Sequence, residues 1–345
     1  MFRRLIPLLL VAALLVMVAL AWLYHQLNAP LRTGSGVEVL VVEPGTTLIG
    51  VAGRLQAEGL IRHRLPLRLY VRLSGRSRIH AGEYRLTRKE SALDLLARLE
   101  RGDVIRYSIT FPEGWTLAEW RAILARQAKL RQVAADWSGA ELAEALDIEQ
   151  ANPEGWFSPN TYFFVAGESD LDILDRAYRR QVETLSGLWA DSASGLPYRE
   201  PYEALIMASL VEKETGVAAE RARIAGVFVR RLAQGMRLQT DPTVIYGLGD
   251  RYRGNLTRAH LRESNAYNTY HIDGLPPTPI ANPGDEALRA ALAPADGEAL
   301  YFVARGDGSH EFSTTLQEHQ RAVRRYQLQR RADYRSSPKP EADAQ

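Results

Sequence analysis

The distribution of apolar residues divides the chain into an uncharged N-terminal segment and a longer part in which short helices and strands follow one another. Leu5 to Tyr24 contains no charged residue. Beyond it, apolar positions recur at helical spacing in some stretches and in short strand-like runs in others. We therefore predict an α+β fold with an N-terminal transmembrane helix, a small α+β subdomain, and a mainly helical domain with short strands and a β-hairpin.

The pattern also predicts where most elements lie. The predicted strands are Val37 to Val42, Ala81 to Leu86 and Val104 to Phe111, and a hairpin pairs residues 300–304 with 310–313 across an Arg-Gly-Asp-Gly turn. Predicted helices cover residues 47–57, 65–73, 91–100, 117–124, 129–149, 171–188, 257–263, 286–292 and 315–331, with two more between Pro201 and Asp241. Asp241-Pro242 is predicted to form a turn, and Ser138 is a candidate helix cap.

The N-terminal segment is long enough to cross a membrane. Roughly 20 apolar residues span the hydrocarbon core as a helix. Arg3 and Arg4, which precede the segment, favour a cytoplasmic N-terminus. Ala19-Leu20-Ala21 resembles a small-residue cleavage site, so a cleaved signal peptide is the alternative. The length of the apolar run favours a retained anchor, and either alternative places residues 30–345 outside the cytoplasm.

Composition excludes several classes of site. The 345 residues include no cysteine, which rules out disulfides and thiolate metal sites. The formal net charge of +2 argues against a nucleic-acid-binding protein. The sequence contains no Walker loop, dinucleotide glycine fingerprint, His-Glu-x-x-His or Gly-x-Ser-x-Gly motif. We therefore expect neither a metal nor a cofactor.

The most informative stretch runs from Pro201 to Gly249. An almost wholly apolar helical run ends in Glu212 and Glu214. Residues two positions apart on a helix do not share a face, so only one of the glutamates can point fully into a given cleft. Burial raises the pKa of a carboxyl group and suits it to general acid catalysis, which marginally favours Glu214. An equally open alternative is that both glutamates form ion pairs with nearby basic residues: Lys213, Arg221 or Arg223.

Two other patterns each allow a functional and a structural interpretation. Residues 42–48 and 111–117 both read as a strand, a glycine turn, a threonine cap and a helix. The first resembles the start of a LysM module, which binds N-acetylglucosamine polymers; two ordinary strand-to-helix turns are the alternative. The loop from Asn152 to Phe164 is dense in aromatic residues, including Trp156 and Tyr162. Such residues either fill the core or form a wall against which sugar rings pack.

The joined motifs ASLVEKET (residues 208–215) and GMRLQTDPT (residues 235–243) resemble those of bacterial endolytic murein transglycosylases, the MltG or YceG-like family. The likeness extends from the N-terminal helix to the hairpin near Arg305. It implies a single-pass protein of the inner membrane, with a periplasmic catalytic part that cleaves nascent peptidoglycan strands. It also implies a LysM-like subdomain before the catalytic domain. The family's catalytic residue is the second glutamate of Glu-Lys-Glu, which is Glu214 here.

A more distant resemblance to soluble lytic transglycosylases implies further site residues. Glu214-Thr215, the segment ending at Gln239, and Ala266-Tyr267-Asn268 follow the order of the motifs in those enzymes. By this comparison Gln239, Tyr267 and Asn268 line the cleft. The remaining candidate substrate-binding residues are Glu212, Trp156 and Tyr162. The implied reaction is non-hydrolytic and closes a 1,6-anhydro ring on N-acetylmuramic acid.

These expectations set domain boundaries and partners. We predict a cytoplasmic stub and transmembrane helix at residues 1–24, a linker at 25–36, the LysM-like subdomain at 37–103, the transglycosylase domain at 104–332 and a disordered tail at 333–345. Peptidoglycan glycan strands are the expected substrate, and cell-wall synthases are candidate partners. Two alternatives stay open: a hydrolysing muramidase that pairs Glu214 with Glu154 or Asp241, and a non-catalytic peptidoglycan-binding scaffold.

Overall fold

The structure, a computed structural model, describes residues 2–33, 38–75 and 78–329, with side chains from residue 6 onward. The chain forms two compact units. The N-terminal unit comprises Met1–Ser108 and Phe163–Glu168, and the C-terminal unit comprises Ile109–Tyr162 and Ser169–Gln345. Helices and small two-stranded sheets make up both parts, which confirms the α+β class.

The N-terminal unit is built around one antiparallel strand pair. Its elements are α1 (Phe2–Asn28), β1 (Val39–Val42), α2 (Leu48–Ala57), α3 (Leu65–Ser74), β2 (Gly82–Arg85), α4 (Ala92–Arg101) and the start of β3 (Arg106–Thr110). β1 pairs with β2, and Leu40 and Tyr84, opposite each other in the pair, are buried with leucines of α2, α3 and α4. Thr47 begins α2 by accepting a hydrogen bond from the Gly50 amide, as the predicted threonine cap requires.

α1 differs from the other helices because its side chains are almost all exposed. Within the described ranges, it is the one helix long and apolar enough to cross a membrane, over Ile6–Asn28. It continues to Asn28, so the predicted linker at residues 25–36 begins several residues too early. Residues 34–36 of that linker and Val37 of the predicted strand lie outside the described residues.

The C-terminal unit is mainly helical. Its elements are the end of β3, α5 (Leu117–Leu124), α6 (Gly139–Ala145), the start of β4 (Thr161–Val165), α7 (Asp170–Ala190), α8 (Pro201–Glu214), α9 (Arg221–Ala233), α10 (Asp241–Leu248), α11 (Arg258–Arg262), α12 (Asp285–Leu292), β5 (Tyr301–Ala304), β6 (His310–Ser313) and α13 (Leu316–Val323). α13 continues as a π-helical turn over Arg324–Leu328. β3 pairs with β4, and β5 pairs with β6 as the predicted hairpin, with Tyr301 opposite Ser313.

α8 lies at the centre of this unit. Every residue from Ala204 to Val211 is buried, and α8 packs against α7, α9, α10 and α12. A helix that is apolar on all sides is stable only when other elements surround it. Ser209, the polar residue in this run, donates to the Ile206 carbonyl and accepts from the Ile280 amide, so its hydroxyl is satisfied.

A cluster of aromatic side chains fixes α5 within the C-terminal unit. Trp120 is fully buried and stacks on Phe111, with ring centroids 3.8 Å apart. The rings of Phe157 and Tyr162 lie about this pair. Thr116 and Glu119 form a reciprocal capping box at the start of α5. The aromatic loop of the sequence therefore contributes to a core here.

Three predicted elements are wrong in extent or type. The predicted helix at residues 129–149 is reduced to α6, which Ser138 caps. Before it, the Asp170 carboxylate accepts the Val133 and Ala134 amides, a side-chain alternative to helical hydrogen bonding. The aromatic loop predicted from Asn152 to Phe164 is wrong in its last part, where strand β4 begins at Thr161. Asp241-Pro242 begins α10 instead of forming a turn, because proline fits the first turn of a helix.

The last predicted helix also differs. Its regular part ends at Val323 and its π-helical turn at Leu328, short of the predicted end at Arg331. Residues 330–345, which include the predicted disordered tail, lie outside the described residues.

We predict that Trp120→Ala lowers the free energy of unfolding by about 3–5 kcal/mol, because it leaves a cavity beside Phe111. Chemical denaturation followed by circular dichroism measures this loss. Trp137→Ala is the matched control, since Trp137 is partly exposed and should cost clearly less. Equal losses in both variants would contradict the assignment of Trp120 to the core.

Candidate active site

Glu214 is the last residue of α8, and it is partly buried. The pKa of its carboxyl group is raised from 4.5 to about 7, chiefly by desolvation. The nearby charge of Asp241 contributes to the rise, while a hydrogen bond from Thr240 and the charge of Arg231 oppose it. Thr240 Oγ1 donates this hydrogen bond to Glu214 Oε1. A carboxyl group with such a pKa is about half protonated at pH 7, so it can act as a general acid near neutral pH.

A cavity of about 460 Å³ opens beside Glu214. Its walls come from the α9–α10 connection, the β5–β6 hairpin and α13. The lining residues nearest in sequence to the predicted motif are Arg231, Leu238, Gln239, Asp241 and Tyr270, and the hairpin and α13 add Tyr301, Phe302, His310 and His319. Of the residues predicted from sequence to form the site, Glu214 and Gln239 are brought together here.

Two buried threonines, Thr243 and Thr269, hold Thr240, the hydrogen-bond partner of Glu214, in place. Thr269 Oγ1 accepts a hydrogen bond from the Thr240 amide at 3.0 Å. Thr243 Oγ1 donates to the Thr240 carbonyl at 2.7 Å and lies 2.9 Å from Thr269 Oγ1. The Thr240 backbone is thus held from both sides, which directs its hydroxyl at Glu214. Thr240 and Thr243 belong to the motif from which the family was recognised, but their role is visible only in the fold.

The chain just before Thr240 adopts a strained conformation. Gln239 has a φ of 54°, in the left-handed region that residues other than glycine rarely occupy. Its amide donates to the Thr269 carbonyl at 3.2 Å. Arg231 supports the same segment, because its guanidinium donates to the Leu238 carbonyl at 2.7 Å and to the Leu300 carbonyl at 2.7 Å. Such strain is characteristic of functional sites.

The hairpin wall is tied to the chain that follows α8. His310 at the start of β6 lies with Nδ1 2.8 Å from Glu220 Oε2, and its amide donates to Glu220 Oε1 at 3.0 Å. Both side chains are buried. No local sequence pattern connects Glu220 with His310, because ninety residues separate the pair.

Glu212 occupies a separate environment. Its Oε2 accepts a hydrogen bond from the Gly284 amide at 3.0 Å, and Arg221 lies 4.0 Å from its Oε1. Burial raises the pKa of Glu212. Lys213 donates to the Gly114 carbonyl at 3.0 Å and forms no ion pair with either glutamate among the described contacts. The two glutamates therefore face different parts of the unit, and the ion-pair interpretation fits Glu212 alone.

Neither Tyr267 nor Asn268 lines the Glu214 cavity, although Asn268 Oδ1 accepts a hydrogen bond from the amide of Tyr270, which does. Asn268 is fully buried, and its Nδ2 donates to the Glu263 carbonyl at 2.6 Å and the Leu261 carbonyl at 3.2 Å, which holds the loop after α11. Tyr267 packs edge-on against Tyr246 with centroids 4.9 Å apart, and its hydroxyl lies 2.9 Å from Thr278 Oγ1.

Trp156 and Tyr162 likewise lie outside the lining of this cavity. Trp156 stacks on Tyr202 at 5.7 Å and donates from Nε1 to Gln150. Tyr162 is buried, and its hydroxyl donates to the Ser158 carbonyl at 2.6 Å. Its environment matches the core-filling interpretation of the aromatic loop more closely than a sugar-binding wall.

The two candidate second carboxylates are placed differently. Asp241 lines the Glu214 cavity and accepts a hydrogen bond from the Tyr270 hydroxyl at 2.6 Å. Glu154 is 4% exposed and accepts the Leu117 amide at 2.9 Å and the Tyr246 hydroxyl at 3.3 Å; burial raises its pKa to about 7. Across the described ranges, no three His, Asp or Glu side chains are grouped closely enough to hold a metal ion.

Comparison with known proteins identifies the family. Residues 40–325 match the sequence profile of the YceG-like family. A Bacillus subtilis protein named endolytic murein transglycosylase is 30% identical over 329 residues, which cover 89% of this chain and 90% of that protein. A Streptococcus pneumoniae protein of the same name is 26% identical over 85% of this chain and 59% of its own length.

A solved structure agrees with this match. The 2.6 Å crystal structure of a yceG-like protein from Listeria monocytogenes has a TM-score of 0.53 at 28% identity, and the match covers 82% of this chain and 98% of that chain. Sequence profile, curated relatives and fold thus point the same way. The chain belongs to the YceG-like family, a family of lytic transglycosylase enzymes whose curated relatives are named endolytic murein transglycosylases.

Proposed function

We propose that this protein is an endolytic lytic transglycosylase that cleaves the β-1,4 bond between N-acetylmuramic acid and N-acetylglucosamine within peptidoglycan strands. The observation that carries the proposal is the environment of Glu214. Its carboxyl group lies at an open cavity, has a pKa of about 7 and accepts a hydrogen bond from Thr240. The names of the Bacillus and Streptococcus relatives support the same substrate. Glu214 is the proposed catalytic residue, and Gln239 is a proposed substrate-binding residue.

In the proposed mechanism one carboxyl group serves both steps. Protonated Glu214 gives its proton to the glycosidic oxygen as the bond from C1 of N-acetylmuramic acid breaks, and the substrate's acetamido carbonyl stabilises C1. The resulting Glu214 carboxylate then takes the proton of the C6 hydroxyl, whose oxygen bonds to C1 and closes a 1,6-anhydro ring. No water is consumed. Paired carboxylates at a fixed separation, which most glycosidases need, are unnecessary here.

The setting of the enzyme is also part of the proposal. α1 would anchor the protein in the inner membrane with its N-terminus in the cytoplasm, since Arg3 and Arg4 precede the apolar run. The catalytic part would then act in the periplasm on nascent strands, terminate their elongation, and work beside cell-wall synthases. The order β1-α2-α3-β2, with an antiparallel strand pair, supports a LysM-like glycan-binding subdomain.

We predict that Glu214→Gln keeps the fold and lowers the cleavage rate by about 10²–10⁴-fold, the usual contribution of a general acid. Mass spectrometry of digested peptidoglycan measures the anhydro products. Glu212→Gln is the matched control on the same helix. Glu212 accepts a hydrogen bond from the Gly284 amide, lies near Arg221 and does not line the cavity.

Other outcomes of that experiment would select the alternatives. Hydrated reducing ends without anhydro sugars would indicate a hydrolase, with Asp241 as the second carboxylate because it lines the same cavity. Unchanged cleavage in Glu214→Gln, with loss in Glu212→Gln, would mean that Glu212 is the acid. No cleavage by the wild-type protein would favour a glycan-binding scaffold.

We also predict opposite shifts in pH dependence from two neighbouring substitutions. Cleavage requires protonated Glu214, so kcat/KM should fall as the pH rises through about 7. Thr240→Val removes a hydrogen bond that stabilises the carboxylate, which raises the pKa and moves this fall to higher pH. Asp241→Asn removes a like charge, which lowers the pKa and moves it to lower pH.

Rates of anhydro-product release between pH 5 and 9 would test these shifts. Thr240→Ser retains the donor hydroxyl and is the control that should keep the wild-type profile. If Thr240→Val and Asp241→Asn shifted the profile in the same direction, Glu214 would not be the titrating acid.

A further inference from the structure

α3 in the N-terminal unit is apolar on two faces. Leu67 and Val71 are buried in the core of the unit. Leu65, Leu69 and Leu73, four residues apart and therefore on one face, are 54%, 37% and 85% exposed. We call these three residues the leucine stripe. A helix that exposes such a stripe, with basic residues beside it, has the character of an interfacial membrane helix.

The leucine stripe lies beside the end of α1. Leu69 and Leu73 line an open apolar cavity of about 530 Å³ together with Leu20, Leu23 and Tyr24 of α1. The uncharged run of α1 ends at Tyr24. The cavity is therefore at the level where a membrane-spanning α1 would leave the hydrocarbon core.

A second cavity overlaps the first at the end of α1 and extends further along the chain, to Arg32. It has a volume of about 220 Å³, and its lining includes four basic or titratable side chains: His25, Arg32, Arg62 and His63. The rings of Trp22 and His63 lie 5.9 Å apart at its edge. The two cavities share Leu27 and Pro66, but the lining of the apolar one begins at Leu20 and that of the basic one extends to Arg32. Apolar side chains thus lead into basic ones toward the end of α1, as acyl chains lead into phosphates in a bilayer.

The charges beside the leucine stripe match a lipid surface. Arg68 and Arg72 are exposed on α3 and lie next to the stripe at helical spacing. Basic residues close to the surface of an anionic membrane are attracted to its headgroups. The same arginines would repel each other if this face met its copy on a second chain, so the charge favours lipid over self-association.

We propose that the leucine stripe and the end of α1 form a membrane-docking surface, with the leucines among lipid acyl chains and the flanking arginines on anionic phospholipid headgroups. The proposal rests on the membrane anchoring of α1 proposed above. It assigns α3 a second role beside its place in the core: it holds the N-terminal unit against the bilayer that α1 crosses.

The absence of native cysteines allows a direct test with single-cysteine variants of the full chain in lipid nanodiscs. Leu73→Cys, Val16→Cys and Asp250→Cys would each carry a fluorophore, and the nanodiscs would contain spin-labelled phospholipid that quenches it. We expect strong quenching at Leu73 and at Val16, which lies within α1, and little at Asp250, an exposed residue of the C-terminal unit.

The controls separate this inference from the proposal on which it rests. Quenching at Val16 without quenching at Leu73 would overturn the docking surface and leave the anchor intact. No quenching at Val16 would overturn the anchor and the docking surface together. Crosslinking between Leu73→Cys chains without lipid quenching would show that a second copy covers the stripe, which also overturns the proposal.

A second arm tests the charge complementarity. In nanodiscs with anionic phosphatidylglycerol, the double substitution Arg68→Gln and Arg72→Gln should reduce quenching at Leu73 by about twofold or more, because it removes two charges that the anionic surface attracts. Quenching at Val16 should not change. Arg253→Gln, an exposed arginine of the C-terminal unit, is the matched control. An unchanged Leu73 signal in the double variant would overturn the role of the arginines.

Discussion

Ionisation of a carboxyl group at the end of a buried helix costs free energy, because burial removes the water that would solvate the charge. α8 is surrounded by four other helices, so Glu214 emerges from the densest part of the C-terminal unit. Desolvation penalises its charged form, and the negative end of the helix dipole lies at the same position. The protonated state of Glu214 near neutral pH is thus a consequence of how α8 packs. The same packing that stabilises the unit sets the acid strength of its proposed catalytic residue.

Of the residues around Glu214, Asp241 adds to this effect through its charge, while Thr240 and Arg231 oppose it. Thr240 stabilises the carboxylate through its hydroxyl, and the buried charge of Arg231 does so at longer range. Both residues also stabilise the fold. Thr240 is hydrogen-bonded within the threonine cluster, and Arg231 donates hydrogen bonds both to the strained segment before Thr240 and to the start of the hairpin. A single group that must first donate and then accept a proton benefits from a pKa between the extremes. The opposing contributions place Glu214 in that range.

The N-terminal unit is subject to a different physical constraint, the exposed apolar surface of α1. α1 buries almost none of its apolar surface within the protein, so its stability in water would be poor without a membrane or an equivalent partner. Near its end, α1 packs on α3 and α4, and an apolar cavity there overlaps a basic one that extends further along the chain. The fold therefore joins a helix suited to lipid to the small core formed by β1, β2, α2, α3 and α4, against which Leu27 of α1 packs.

Local patterns in the sequence were enough to predict the apolar α1, the all-apolar α8, the β5–β6 hairpin and the threonine caps of α2 and α5. Periodicity, capping residues and helical spacing are properties of neighbouring residues, and they also separated Glu212 from Glu214. Local patterns led to wrong predictions where a side chain distant in the sequence determined the backbone conformation. The Asp170 carboxylate bound the amides of Val133 and Ala134 and shortened a predicted helix.

The composition of the site was decided by tertiary structure. The motif likeness named Gln239, Tyr267 and Asn268 together, yet the fold places only Gln239 in the cavity with Glu214 and uses the Asn268 amide to hold a loop. Arg231, Tyr270 and the Glu220–His310 pair had no signal in the sequence, because each acts through contacts between segments that are far apart in the chain. The sequence by itself determined which carboxyl group ends the buried helix. Only the packing around it decided which partners that group meets and how acidic it is.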